Sequence, residues 1–263
     1  MTRATLAGGV TLNTRIDGPA DAPWLILSNS LGTTLAMWDP QIDALTARYR
    51  VLRYDTRGHG GSDTPPGPYG FADLTGDVIA LMDHFGIETA AFMGLSMGGM
   101  TGMGLSIHHA DRITRVVCAD GRADAPPPVR TMWDERIARV QAGGLEAIAD
   151  ATLASWLTGD WRAANPDATA RIREMVLSND PAGYIACCHA LKGLDYLRHL
   201  GEARAPILFV GGSEDKGASP EVMRAMAAAT PGGTYTEIPG AAHVANLNAP
   251  AAFTAAIAGF LGL

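Results

Sequence analysis

The chain has 263 residues, 47% of them hydrophobic and 18% charged, with a net charge of −7. That length and apolar content suit one large domain with a sizeable core, or one domain carrying a lid. The acidic balance argues against nucleic acid as a partner, since holding phosphates takes clustered Lys and Arg; no apolar run approaches the ~20 residues that span a bilayer, so no membrane partner is expected either.

The opening "MTRATLAGGVTLNTRIDG" lacks an unbroken apolar run, so no signal peptide is expected. Residues 2–17 alternate loosely and predict a leading antiparallel pair. "WLILSNS" (24–30) predicts a buried strand feeding a loop, "AMWDPQIDALTARY" (36–49) a helix, and "YRVLRYD" (49–55) the next strand. "TRGHGGSDTPPGPYG" is a long loop rich in turn residues. In "FADLTGDVIALMDHFG", Leu74, Val78, Leu81, Met82 and Phe85 fall at helical spacing, closed by Gly86. "ETAAFMG" predicts a strand, 97–110 a helix, and "ITRVVCAD" (113–120) a strand. From 123 to 200 the pattern breaks into mostly helical sequence with no clear strand. "APILFVGGS" (205–213) then predicts a strand, "PEVMRAMAAAT" a helix and "TYTEIP" a strand. The last helix, 250–263, places Phe253, Ile257, Phe260 and Leu261 on one face.

Strands alternating with helices imply an α/β class with a mainly parallel sheet covered on both faces. The expected organisation is a core of residues 1–122 and 201–263, interrupted by a helical cap over 123–200. Three cysteines, two of them adjacent (Cys187 and Cys188, with Cys118), make a poor disulfide framework and point to reduced thiols in the cytoplasm. Composition leaves the oligomeric state open.

Gly94, Ser96 and Gly98 spell G-x-S-x-G where a predicted strand turns into a predicted helix. In a nucleophile elbow the serine takes a strained backbone that lifts its hydroxyl above the sheet, and small neighbours let strand and helix pass closely. A serine hydroxyl needs a base to take its proton, and the base needs a third group to orient it. Of the histidines after Ser96, His108 and His109 fall at the far end of its helix, and His189 and His199 within the expected cap. His243, in "PGAAHVANLNAP" between the last strand and the last helix, is the candidate base. Asp215, after "ILFVGGSE", is the first candidate for the acid, with Asp120 at the end of "ITRVVCAD" and Glu214 as alternatives. The backbone N–H groups of Met97 and of Leu31, in "NSLGT", are the expected oxyanion donors. At least one of Trp133 and Trp156 is expected to face the substrate. No phosphate-loop pattern, no H-E-x-x-H and no Cys/His cluster at ligand spacing occurs, so neither cofactor nor metal is expected.

The elbow, the acid and the late histidine resemble the α/β-hydrolase superfamily along the whole chain. "SNSLGTTLAMWDPQ" (28–41), "RVLRYDTRGHGGSDTPPGPY" (50–69), "GLSMGGMTG" (94–102) and "GYIACCHAL" (183–191) resemble the 3-oxoadipate enol-lactonases of the β-ketoadipate pathway of aromatic catabolism. The resemblance implies an α/β-hydrolase fold, the triad Ser96, Asp215 and His243, and a small-molecule lactone or ester as substrate. Two segments depart from it: "ADGRADAPPP", where such lactonases carry something like Asn-Thr-Ala-Ala, and "DKGASP", where they carry Asp-Pro-Ala-Thr-Pro. A carboxylesterase or a lactonase of other range is therefore the main alternative, ahead of a C–C bond hydrolase or a non-catalytic binding module. The implied enol-lactone carries a carboxylate, which an acidic protein can hold only through a local cation. Arg122 or Arg130 is expected to supply it, and Arg57 to brace its own loop.

Overall fold

In a computed structural model of the chain, residues 2–263 are described; Met1, which heads the expected core segment, lies outside them. Eight strands form one sheet: β1 (Thr2–Thr5), β2 (Thr11–Asp17), β3 (Trp24–Ser28), β4 (Arg50–Tyr54), β5 (Ala90–Leu95), β6 (Ile113–Ala119), β7 (Ile207–Gly212) and β8 (Thr234–Ile238). Their order is β1-β2-β4-β3-β5-β6-β7-β8. The expected leading pair is present: β1 with β2 and β2 with β4 run antiparallel, and every later pairing is parallel.

The central strands are apolar on both faces because both are covered. In β3, Leu25 and Leu27 pack on one side with Trp38, Phe253, Ile257 and Leu261, while Ile26 packs on the other. The first side is covered by α1 (Ile42–Thr46) and α11 (Pro250–Leu261), the second by α2 (Phe71–His84), α3 (Met97–His108) and α9 (Pro220–Ala229). The helix expected over 36–49 differs: residues Leu35–Gln41 form a 3-10 turn, and only then does α1 begin. Pro40 lies inside that turn, and its missing N–H and its ring oppose a regular α-helix there.

Between β6 and β7 come only helices: α4 (Pro127–Gly143), α5 (Glu146–Trp156), α6 (Gly159–Ala164), α7 (Pro166–Leu177) and α8 (Pro181–Lys192), then a 3-10 turn at Leu197–Glu202. Proline opens α4, α7 and α8, where its lost N–H would have had no partner within the helix. The two ends of this segment meet at the core. Asp124 and Asp195 form an antiparallel bridge, and the Tyr196 N–H donates to Ala123 O at 2.7 Å. Helix α10 (Ala245–Asn248), after the last strand, has no counterpart in the sequence reading. No helix among the described residues is long and apolar enough to cross a membrane.

Candidate active site

Ser96 is the single residue between β5 and α3, at φ 54 and ψ −115. That positive φ is costly for a side-chain-bearing residue and turns the chain from strand to helix in one step. The turn fits only because its neighbours lack a Cβ. On Gly94 a Cβ would stand 2.1 Å from the Gly98 carbonyl carbon, and on Gly98 it would stand 2.2 Å from the Ser28 carbonyl oxygen. The Ser96 N–H donates to Ala119 O at 2.8 Å and the Gly98 N–H to Asn29 O at 3.0 Å, so the turn is tied to both flanking strands.

The Ser96 hydroxyl donates to His243 Nε2 at 2.9 Å, and His243 Nδ1 donates to Asp215 Oδ2 at 2.8 Å. The second Asp215 oxygen accepts from the N–H groups of Gly217 (2.7 Å) and Ala218 (3.2 Å). Burial works to raise the Asp215 pKa, but the His243 charge and hydrogen bond and these two N–H donors hold it below the usual carboxylate value. Burial likewise works to lower the His243 pKa, yet Asp215, with a smaller contribution from Asp120, raises it above the ordinary imidazole value. A hydroxyl, an imidazole and a carboxylate so aligned can pass a proton from serine to histidine while the acid steadies the imidazolium. Asp120, the alternative acid, makes no hydrogen bond to His243 among the described residues. Its oxygens accept from Gly212 N–H (2.9 Å) and Ala245 N–H (3.1 Å). Glu214 is exposed.

Of the two residues expected to supply oxyanion donors, Met97 follows Ser96 directly in the chain. Leu31 lines the same cavity and its N–H meets no acceptor among the described residues; Met97 is the first residue of α3, where an N–H has no carbonyl one turn back. The Leu31 loop is held firmly. Asn29 donates to Tyr54 O at 2.7 Å and accepts from Trp38 Nε1 at 3.1 Å. His59, absent from the sequence reading, accepts the Gly32 N–H on Nε2 at 2.9 Å and reaches Arg57 O through Nδ1 at 3.2 Å. Burial lowers its pKa to about 4, which keeps the imidazole neutral and Nε2 free to accept. Arg57 braces its loop through a two-pronged pair with Asp77 at 2.7 and 2.6 Å.

Ser96 and His243 open into a cavity of about 440 Å³ between the sheet edge and α4, α5 and α8. Trp133 and Trp156 both line it. Of the two expected arginines, Arg122 lines it but is already engaged: it donates to Asp124 O at 2.7 Å and Gly217 O at 3.3 Å and pairs with the Asp124 carboxylate at 3.3 Å. Arg130 lies outside the cavity, exposed, with its Nε on Ala125 O at 2.7 Å. The cation that sequence reasoning missed is Arg136. It lines the cavity, donates to Tyr184 Oη at 2.8 Å and to Thr152 Oγ1, and pairs with no carboxylate among the described residues. Its signal was there to read: Val129, Met132, Trp133 and Arg136 are spaced i, i+3, i+4, i+7 on α4, one helical stripe, and Arg130 falls outside it. Lys216, beside Asp215, adds a further, exposed cation to the lining. Among the described residues no group of three or more His, Cys, Asp or Glu is arranged to hold a metal ion.

Residues 23–250 match the family model described as alpha/beta hydrolase fold. The chain is 37% identical to 3-oxoadipate enol-lactonase 2 of Acinetobacter baylyi, over 95% of this chain and 93% of that one. It is 35% identical to 3-oxoadipate enol-lactonase 1 of the same organism, over 79% and 77%. Among solved structures, the enol-lactonase from Burkholderia xenovorans LB400 superposes with a TM-score of 0.96 at 42% identity, covering 100% of both chains. With an eight-stranded sheet, a serine at its strand-to-helix elbow and sequence similarity along most of its length, the chain belongs to the α/β-hydrolase family.

Proposed function

We propose that the protein is a serine hydrolase that opens a carboxylated enol-lactone through an acyl-enzyme on Ser96, the 3-oxoadipate enol-lactone of aromatic catabolism being the substrate its relatives' names suggest. The observation that carries the reading is one cavity lined by both Ser96 and His243, with Asp215 bonded behind the imidazole, and by an arginine with no acid partner among the described residues.

Ser96 Oγ attacks the lactone carbonyl carbon as its proton passes to His243 Nε2. Negative charge develops on the carbonyl oxygen, where the N–H groups of Leu31 and Met97 stabilise it; in comparable sites each such donor is worth ~10²–10³ in rate. The ring C–O bond then breaks, and the leaving enolate oxygen takes the proton from His243. Water, deprotonated by the same imidazole, attacks the acyl carbon; the acyl–Oγ bond breaks, Ser96 takes the proton back from His243, and the carboxylic acid product is released. Because the leaving group stays tethered, water must attack before the ring recloses.

Arg136 receives the substrate carboxylate, its planar guanidinium offering two parallel donors. The apolar surfaces of Trp133 and Trp156 flank the ring. Residues 123–200 act as a cap over a core of 1–122 and 201–263. The partners are small molecules only, and three buried free thiols, Cys118, Cys187 and Cys188, support a cytoplasmic setting.

Turnover of the enol-lactone, saturated lactones and short aryl esters tests this, alongside a fluorophosphonate probe. Labelling of Ser96 and a clear preference for the carboxylated enol-lactone are expected. Equal turnover of neutral esters would make the protein a carboxylesterase, and no labelling would remove the serine-hydrolase reading.

A further inference from the structure

Asp120 is a second buried acid at the same sheet edge, and the proposed reaction does not use it. It is fully buried and follows β6 directly. Its φ is 45, so Asp120 and Ser96 are the two residues other than glycine with positive φ among those described. The strained backbone turns the Asp120 carboxylate between two other loops. One oxygen accepts from the N–H of Gly212, the last residue of β7, three residues before Asp215. The other accepts from the N–H of Ala245, two residues after His243. One carboxylate thus fastens the strand end that leads to the acid onto the loop that carries the base. Both its oxygens accept from backbone N–H groups, bonds that favour the charged form of the carboxylate.

We propose that Asp120 is a positioning residue, which clamps the Asp215 and His243 loops together and places a second negative charge behind the His243 imidazole. It acts through His243 and leaves Asp215 as the acid that bonds the ring. Four charged groups besides Asp120 bear on His243 or line its cavity: Asp215 after β7, Arg136 from α4, Arg122 after β6, and Lys216 beside the acid. Of these Asp215 favours the imidazolium as Asp120 does, and Arg136 opposes it. Burial and the neighbouring Asp215 charge raise the Asp120 pKa, with His243 and the two N–H donors acting against them.

Two replacements separate position from folding. Asp120→Asn keeps the shape and tolerates a positive φ, but its amide turns an N–H₂ towards one of two N–H donors and so can satisfy only the other. Asp120→Gly removes the carboxylate at a backbone conformation that glycine prefers, which protects the fold. In each variant the His243 imidazole is titrated by NMR, its signal assigned by its loss in His243→Gln. Turnover of a neutral aryl ester is measured alongside. The His243 titration is expected to move to lower pH in both variants. In both, kcat should fall roughly 10- to 100-fold, the cost of a catalytic group displaced by about an ångström, with KM within about twofold. An unmoved titration overturns the proposal, and so does a kcat within about threefold of wild type. The kinetic half rests on the proposed hydrolase activity and the titration does not. An inert wild type whose His243 titration still responds to Asp120 would remove the hydrolase reading and leave this placement standing.

Discussion

The two walls of the cavity are built in opposite ways. On the sheet side, Ser96, Asp120 and Asp215 are 7%, 0% and 3% exposed, and each is fixed by backbone: an elbow, a positive φ, or N–H donors in the following turn. On the helical side, Trp133 and Arg136 are half-buried side chains on the face of α4, and Met132 beside them is 40% exposed. Chemistry needs reacting atoms held to fractions of an ångström, which buried backbone can do. Recognition needs only the right groups on one stripe of a helix. The first wall therefore leaves spacing rules in the sequence; the second leaves a periodicity that many sequences share.

The largest test of the sheet side is Ser96→Ala. With the nucleophile gone, turnover should fall on the order of 10⁶-fold, as when the serine of another triad is removed. Near-normal hydrolysis by that variant would end the nucleophile assignment. Asp215→Asn comes next. It keeps the packing but offers the Nδ1–H of His243 the wrong partner, for a loss of roughly 10⁴-fold in kcat. A loss smaller than that from Asp120→Asn would exchange the roles of the two acids.

The same line has a pH signature. Asp215 raises the His243 pKa above its ordinary 6.5 against the opposing effect of burial. Only the neutral imidazole can take the serine proton, so activity is lost as pH falls through that raised value. The acid limb of kcat/KM should therefore lie above 6.5. A limb at or below it would mean that burial wins over the Asp215 charge.

The helical side is tested by Arg136→Ala. Losing a two-pronged carboxylate partner should raise KM for the carboxylated lactone by about one to two decades. A neutral aryl ester should be nearly unaffected, because it has no anion to place. Arg136→Lys keeps the charge but not the planar fork, and should fall between. Equal effects of Arg136→Ala on both substrates would show that its bonds to Tyr184 and Thr152, and not an anion site, are what matter.

How legible each wall was follows from its construction. The strands along the chain, the elbow glycines and the late histidine could be read because each has a local rule: a short apolar run bounded by turn residues, a missing Cβ, a loop after the last strand. The broken helix over 36–49 was also open to reading, since Pro40 forbids the regular form. His59 could not be found that way. Its role depends on Gly32 arriving from a loop 27 residues earlier, a contact that no spacing encodes. Arg136 went unread for a third reason. Arg122 and Arg130 stand nearest the site along the chain, but the helical turn of α4 aims Arg136 inward and Arg130 outward.

Arg122 sharpens the contrast with the smallest expected effect. It lines the cavity, so its position alone would make it an anion site. Its hydrogen bonds argue otherwise. Asp124 already meets its charge, and two backbone carbonyls take its N–H groups. One of these belongs to Gly217, whose own N–H holds the Asp215 carboxylate at 2.7 Å. Arg122 thus belongs with the sheet side: it braces the turn beneath the acid. Arg122→Ala should loosen that turn by the worth of a partly exposed hydrogen bond, about 1 kcal/mol. The result should be a fall in kcat of roughly two- to fivefold, the same for the carboxylated lactone and the neutral ester, with KM steady for both. A rise in KM confined to the carboxylated substrate would move Arg122 to the helical side's task and make the anion site a pair of arginines.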